Sequence, residues 1–221
     1  ILFAEHNREV TNWQCSQQGG IDDETRCLGA LHGQLGGEYQ AKNTNTILAA
    51  IDVLQGKAHA KGLPEAPIFK ISEQHVADGF ANVCESTGLQ GRWQTLHQHP
   101  LVVCDTGHNT AGWTYLAEQI AMQKCHHKHI VFGMVDDKDI GAVMDMLPKD
   151  ATYYWTQAST HRAVPSAKVA QMGQQRHLKG DDCGNVEQAY RKAMEKAGQN
   201  DLVFVGGSSY VVADLLALND F

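Results

Sequence analysis

The residues best equipped for chemistry lie in one run, Asp105-Thr106-Gly107-His108-Asn109. Asp105 supplies an acceptor that can hold a ribose hydroxyl or a cationic group. Gly107 permits tight backbone geometry, and His108 offers a donor to an anionic oxygen or a proton acceptor near neutral pH. A plainer reading competes with this one, in which Asp105 and Asn109 satisfy the loop and cap a following helix. Two more runs have a similar character. Gly206-Gly207-Ser208-Ser209 puts small residues and N–H groups at a helix start, a place suited to a carboxylate or phosphate. Gly133-Met134-Val135 leads into Asp136-Asp137-Lys138-Asp139, where the favoured reading is a charged helix entry with local ion pairing. In His161-Arg162, the Arg162 fork of donors can clamp a carboxylate, or simply be a solvated loop arginine.

These runs share a position: each follows a short apolar segment. Residues 101–104, 129–132, 151–156 and 202–205 read as strands, with a weaker strand at 176–178. Between and after them lie helical patterns at 111–122, 140–147, 165–172, 186–197 and 210–218, with Pro165 suited to a first helical turn. Alternating short strands and helices predict an α/β fold with a doubly wound, mostly parallel, Rossmann-like sheet over residues 92–221. Ligands of such a sheet bind beyond the carboxyl ends of the strands, which is where the polar runs fall.

Residues 1–91 differ. Short strands are expected at 10–15 and 26–32, a helix over 43–54, and a second helix capped by Ser72 and carrying Val76, Phe80 and Val83. The stretch 56–67 is the most linker-like, and the passage into the α/β unit is expected near 92–99. These residues read as the remnant of a larger domain, with exposed apolar surface.

Composition narrows the function classes. With 43% hydrophobic and 19% charged residues in 221, the chain suits a folded protein with a substantial core. A formal net charge of -7 argues against a general nucleic-acid or acidic-membrane surface. No apolar run approaches the roughly 20 residues of a membrane helix, and residues 1–6 do not resemble a signal peptide. Six cysteines without a CxxC pair suit reduced thiols in a cytoplasmic protein. Cys104 beside Asp105 and His108 raises a cysteine nucleophile, but its place in an apolar strand points it into the core. The 12 histidines, crowded at 126–129 and 97–99, lack companion ligands at metal spacing, so no metal site is expected. The first residue is Ile rather than Met, from which a processed chain or a piece of a longer one is expected.

Several segments in sequence order resemble one family. Glu38-Tyr39-Gln40-Ala41-Lys42-Asn43 resembles the YQxxN segment of folylpolyglutamate and dihydrofolate synthases. The run Gly88 through Gln94 resembles their joining stretch GLxxPGRxE. Asp105-Thr106-Gly107-His108-Asn109 is similar to DGAHNP or DVAHNP, residues 133–139 to a motif ending in DKD, and Gly207-Ser208 to a late GS turn. Gln90, Gln94 and Thr110 depart from the family's usual proline, glutamate and proline. The wider relatives are the Mur ligases.

The resemblance implies an ADP-forming amide ligase that joins L-glutamate to dihydropteroate or a folate through an acyl phosphate, with ATP and Mg2+. It implies that Asn43 contacts the adenine end of ATP, that Arg92 reaches the nucleotide phosphates, and that Asp105 lines the ATP site. His108 is implied near the reacting groups and glutamate, as the catalytic candidate, with Arg162 and Ser208 for glutamate recognition. The family is typically monomeric. No G-x-x-x-x-G-K-[ST] phosphate loop is present, so the magnesium ligands and the loop are expected upstream and this chain is expected to be inactive alone. Asp105→Ala or Arg92→Ala in the full enzyme is expected to cut ligation severely and leave folding intact. Two alternatives remain: a non-catalytic nucleotide-binding Rossmann-like module, and a Mur-type ligase acting on a cell-wall precursor.

Overall fold

The computed structural model describes residues 32–37, 39–56, 69–136 and 139–219. The chain divides into two compact units, Ile1–Gln90 and Gly91–Phe221. The expected strand at 10–15, that at 26–32 except its last residue, and the linker at 56–67 except its first residue lie outside the described residues.

The first unit is helical where described: α1 (Gln40–Leu54), α2 (Glu73–Ala81) and α3 (Val83–Thr87). Helix α1 begins three residues before the expected Asn43. Ser72 caps α2 as its sequence predicts, in a reciprocal box. Its hydroxyl accepts from the His75 N–H at 3.1 Å, and its own N–H donates to His75 Nδ1 at 3.2 Å. Leu48 and Val76 form a small core with Ile51, Ile71, Ala77 and Phe80 packed against it. Ile47, Leu54 and Phe69 remain exposed.

The second unit carries a six-stranded sheet in the order β1-β2-β6-β3-β4-β5. Its strands are β1 (Gln94–Gln98), β2 (Leu101–Asp105), β3 (Lys128–Phe132), β4 (Ala151–Gln157), β5 (Lys179–Asn185) and β6 (Leu202–Gly206). Strand β1 is antiparallel to β2 and every other pairing is parallel. The helices are α4 (Thr110–Met122), α5 (Ile140–Met146), α6 (Ser166–Gln175), α7 (Val186–Lys196) and α8 (Ser209–Leu216). Among the described residues no helix is long and apolar enough to cross a membrane.

Side-chain alternation sends the two faces of the sheet into different cores. Val102, Cys104, Val131, Tyr154, Val203 and Val205 pack with α7 and α8. On the other face Trp113 of α4 meets Phe132 and Phe204 edge-on, with ring centroids 5.5 and 5.9 Å apart. Trp155 lies against Phe132 on that face and fills the space beside Gly173 of α6. Helices therefore cover both faces, which is the doubly wound arrangement the alternation predicts.

Two strands depart from expectation. In place of a strand at 176–178, residues 176–177 close a tight turn, with His177 at φ 58°, and β5 runs from 179 to 185. Its sequence, KGDDCGN, has no apolar run because it is an edge strand paired on one side only. Strand β1, likewise at an edge, is half polar and was hidden in the passage at 92–99 for the same reason.

At the amino-terminal edge of β3, His129 is buried with Nδ1 2.9 Å from the Tyr154 hydroxyl and Nε2 3.4 Å from Asp201 Oδ2. Desolvation by burial pulls its pKa below the ordinary 6.5, outweighing the Asp201 contact, and the neighbouring His127 adds to the fall. A histidine whose pKa is depressed by folding stabilises the fold while neutral, and that contribution is lost as pH falls below 6.5. Thermal melts between pH 8 and pH 5 should show the wild type losing stability toward acid, with a shallower loss in His129→Gln. Parallel curves for the two proteins would refute this assignment.

Candidate active site

The site is built where β2, β6 and β3 end side by side. Their terminal loops approach so closely that glycine is required. A Cβ on Gly133 would stand 2.5 Å from the Thr156 carbonyl oxygen, and one on Gly207, at φ 100°, 2.5 Å from the Gly133 oxygen. The Gly133 N–H donates to the Gly206 carbonyl at 3.3 Å. The helix after β2 packs on one face of the sheet and the helix after β6 on the other, which opens a crevice between these strand ends.

Asp105, the last residue of β2, is 1% exposed. Its Oδ2 accepts the Trp93 N–H and its Oδ1 the Gly107 N–H, both at 2.7 Å. One buried carboxylate thus ties residues 91–93 to the loop after β2, through charge-assisted bonds. Trp93 has φ 47°, an unfavourable conformation for a bulky residue. Burial of its ring, 5.9 Å from Phe204, and the bond to Asp105 hold it there. A further tie comes from Trp113, whose Nε1–H donates to the Gly107 carbonyl at 3.1 Å.

Arg92 sits half-buried between these anchors, with Nη1 donating to the Thr106 hydroxyl at 3.1 Å. His108 is half-buried, and its Nδ1 lies 3.1 Å from the Thr106 carbonyl oxygen. Because a carbonyl only accepts, Nδ1 carries the hydrogen, and the neutral ring keeps Nε2 as its acceptor. Asn109 caps α4, its Oδ1 accepting from the Gly112 N–H at 2.8 Å. Asp139 caps α5 in the same way through Ala142. The capping reading holds for Asn109, whereas Asp139, read as part of a charged helix entry, turns out to be a cap as well; Asp137 and Lys138 lie outside the described residues.

The loop carrying Arg162 is stitched to the loop after β3. Asp136 N–H donates to the Arg162 carbonyl and Val164 N–H to the Met134 carbonyl, each at 3.0 Å, around a Val135–Ala163 bridge. From α8, Asp214 accepts both the N–H and the hydroxyl of Ser159, at 2.7 and 2.6 Å. Arg162 is half-buried. Ser208 is 1% exposed, and its hydroxyl caps α8 by accepting the Tyr210 N–H at 3.2 Å. Arg92, Asp105, His108, Arg162 and Ser208 all belong to the second unit. Asn43 is exposed on α1 of the first unit, with Nδ2 donating to Gln40 Oε1 at 2.9 Å.

Cys104 is fully buried, and burial, reinforced by the Asp105 charge, raises its thiol pKa to about 12, so it is no nucleophile. Among the described residues no three side chains of metal-ligating type gather. Sequence reasoning passed over Trp93, Asp214 and the Thr106 hydroxyl. Only Thr106 carried a signal, as the hydroxyl-bearing residue inside the run already singled out.

Residues 91–209 match the family described as Mur ligase, glutamate ligase domain. The chain belongs to the Mur ligase family. This Mur ligase chain is 30% identical over 179 residues to the dihydrofolate synthase/folylpolyglutamate synthase of Escherichia coli K12, covering 80% of the chain and 38% of that relative. The structure of E. coli FolC in complex with DHPP and ADP matches with a TM-score of 0.65 and 26% identity, over 86% of this chain and 41% of that one. A bifunctional folylpolyglutamate synthase/dihydrofolate synthase with Mn, AMPPNP and L-glutamate bound matches with a TM-score of 0.62 and 26% identity, over the same shares. The chain thus spans about two fifths of the length of these relatives.

The geometry corrects one expectation. Removing Asp105 would deprive the buried Trp93 N–H and the half-buried Gly107 N–H of their acceptor. Asp105→Ala should destabilise the second unit by about 3 kcal/mol, read by urea unfolding. Asp105→Asn, which keeps an amide oxygen as acceptor, should lose less. Equal stability of Asp105→Ala and wild type would overturn this role.

Proposed function

We propose that this Mur ligase chain is the glutamate-ligating part of an ATP-dependent enzyme that joins L-glutamate to dihydropteroate or a folate. The observation that carries the reading is the paired Arg92 and His108, held at the carboxyl end of β2 by Asp105 and Thr106. They lie inside the stretch that matches the glutamate ligase domain. The similarity to dihydrofolate synthase/folylpolyglutamate synthases supports the choice of acceptor.

A carboxylate is a poor electrophile, so the proposed reaction first transfers the γ-phosphoryl group of ATP to the acceptor carboxylate, releasing ADP. The amine of glutamate then attacks the acyl carbon, and phosphate leaves with the former carboxylate oxygen. Arg92 stabilises charge on the phosphate oxygens. His108 Nε2, kept as an acceptor by the Nδ1 bond, receives a proton from the attacking amine. Arg162 is proposed as a donor to a glutamate carboxylate. Ser208 serves the same turn through its capped helix start rather than a free hydroxyl. For Asn43 the proposal is a contact with the adenine end of ATP. Mg2+ accompanies ATP as its counter-ion, and no described residue is proposed to hold it. The enzyme is proposed to be monomeric and cytoplasmic.

The reaction needs a phosphate-cradling loop that these 221 residues do not contain. The test therefore uses the product of the complete reading frame in which they lie. Incubated with ATP, Mg2+, L-glutamate and an acceptor labelled with 18O in its carboxylate, it should release ADP and 18O-labelled phosphate. Arg92→Ala should lower kcat/KM for ATP about 100-fold. Unlabelled phosphate would rule out the acyl phosphate. Ligation of a cell-wall precursor instead would make it a Mur-type enzyme, and nucleotide binding without ligation a binding module.

A further inference from the structure

We infer that Thr106 is a positioning residue for Arg92, setting the guanidinium in place before any nucleotide arrives. The inference rests on the proposal that Arg92 meets the phosphates of ATP, and extends it to a residue that carries no charge. Thr106 makes three polar contacts with residues 91–92. Its N–H donates to the Gly91 carbonyl at 2.9 Å, its hydroxyl donates to the same carbonyl at 3.0 Å, and the hydroxyl oxygen accepts from Arg92 Nη1 at 3.1 Å. The single hydroxyl hydrogen is committed to Gly91, which leaves lone pairs directed at the guanidinium.

The methyl of Thr106 occupies space that only a glycine at position 91 leaves open. A Cβ on Gly91 would fall 2.6 Å from Thr106 Cγ2, so the methyl group lies close over the glycine. Gly91 has φ 72°, which glycine adopts without strain. The hydroxyl itself is held between the Gly91 oxygen and Arg92 by its two hydrogen bonds. Arginine carries much rotamer freedom, and ordering it against a phosphate is unfavourable unless part of that order exists beforehand. The DGAHNP and DVAHNP patterns that this run resembles have glycine or valine at this position. Neither has a hydroxyl with which to accept from an arginine.

The test is a double-mutant cycle in ATP kinetics of the complete enzyme. Thr106→Val keeps the shape and removes the hydroxyl, and should raise KM for ATP about 5-fold with kcat nearly unchanged. Thr106→Ser, which restores the hydroxyl, should return KM close to wild type. In an Arg92→Ala background Thr106→Val should add nothing, an outcome that a merely structural role would not give. If Arg92→Ala leaves kcat/KM for ATP unchanged, the role of Arg92 fails and this inference with it. If Arg92→Ala lowers kcat/KM while Thr106→Val leaves KM unchanged, or raises it equally without Arg92, only the inference about Thr106 is overturned. Should Thr106→Val not fold, Thr106→Ala enters the same cycle with the same expectations.

Discussion

The second unit is organised around one buried carboxylate. Asp105 lies at the end of a strand, out of solvent, and each of its oxygens accepts a backbone N–H. A charge so placed is tolerable only when its hydrogen bonds are complete. That requirement fixes the paths of two separate stretches at once, residues 91–93 and the loop after β2. Everything that faces the crevice from this side, including the Arg92 guanidinium and the His108 ring, inherits its position from that pair of bonds.

The aromatic layer beneath turns this local order into a rigid platform. Trp113 reaches from α4 to the rings of Phe132 and Phe204, and its indole N–H also holds the Gly107 carbonyl. Trp93 closes the same layer from above, 5.9 Å from Phe204. The loop is therefore braced by the sheet on one side and by a helix on the other. Little of this bracing involves the residues that would touch substrate, which leaves those side chains open to evolve with the reaction they serve.

Much of this was legible in the sequence, and the reasons are specific. Strands such as 129–132 and 202–205 are buried on both faces, so they read as continuous apolar runs and betray a parallel sheet. The edge strands β1 and β5 have one side in water and pair with a single neighbour, so their composition resembles a loop. The polar run after β2 was readable as a site because strand ends in this fold class collect ligands. What could not be read was the division of labour inside it. Asp105, Thr106 and His108 are all polar and adjacent, yet one is sequestered, one bridges to an arginine, and one keeps a ring nitrogen available. Their partners decide among those fates, and for Asp105 and Thr106 these include residues 91–93, more than ten positions away.

The strand order has a consequence for how such a chain comes into being. Strand β6 lies in the middle of the sheet, between β2 and β3, yet it is the last of the six to be made. Until it emerges from the ribosome, β2 and β3 have no common neighbour, and the apolar edges that will flank β6 face water. A nascent chain that has completed β5 is still two half-sheets with an empty slot between them. Its closure is a late, non-local event, the kind that folds slowly and exposes strand edges meanwhile. The crevice at the strand ends, which needs β2, β6 and β3 side by side, is therefore assembled only once β6 is available rather than built up piece by piece.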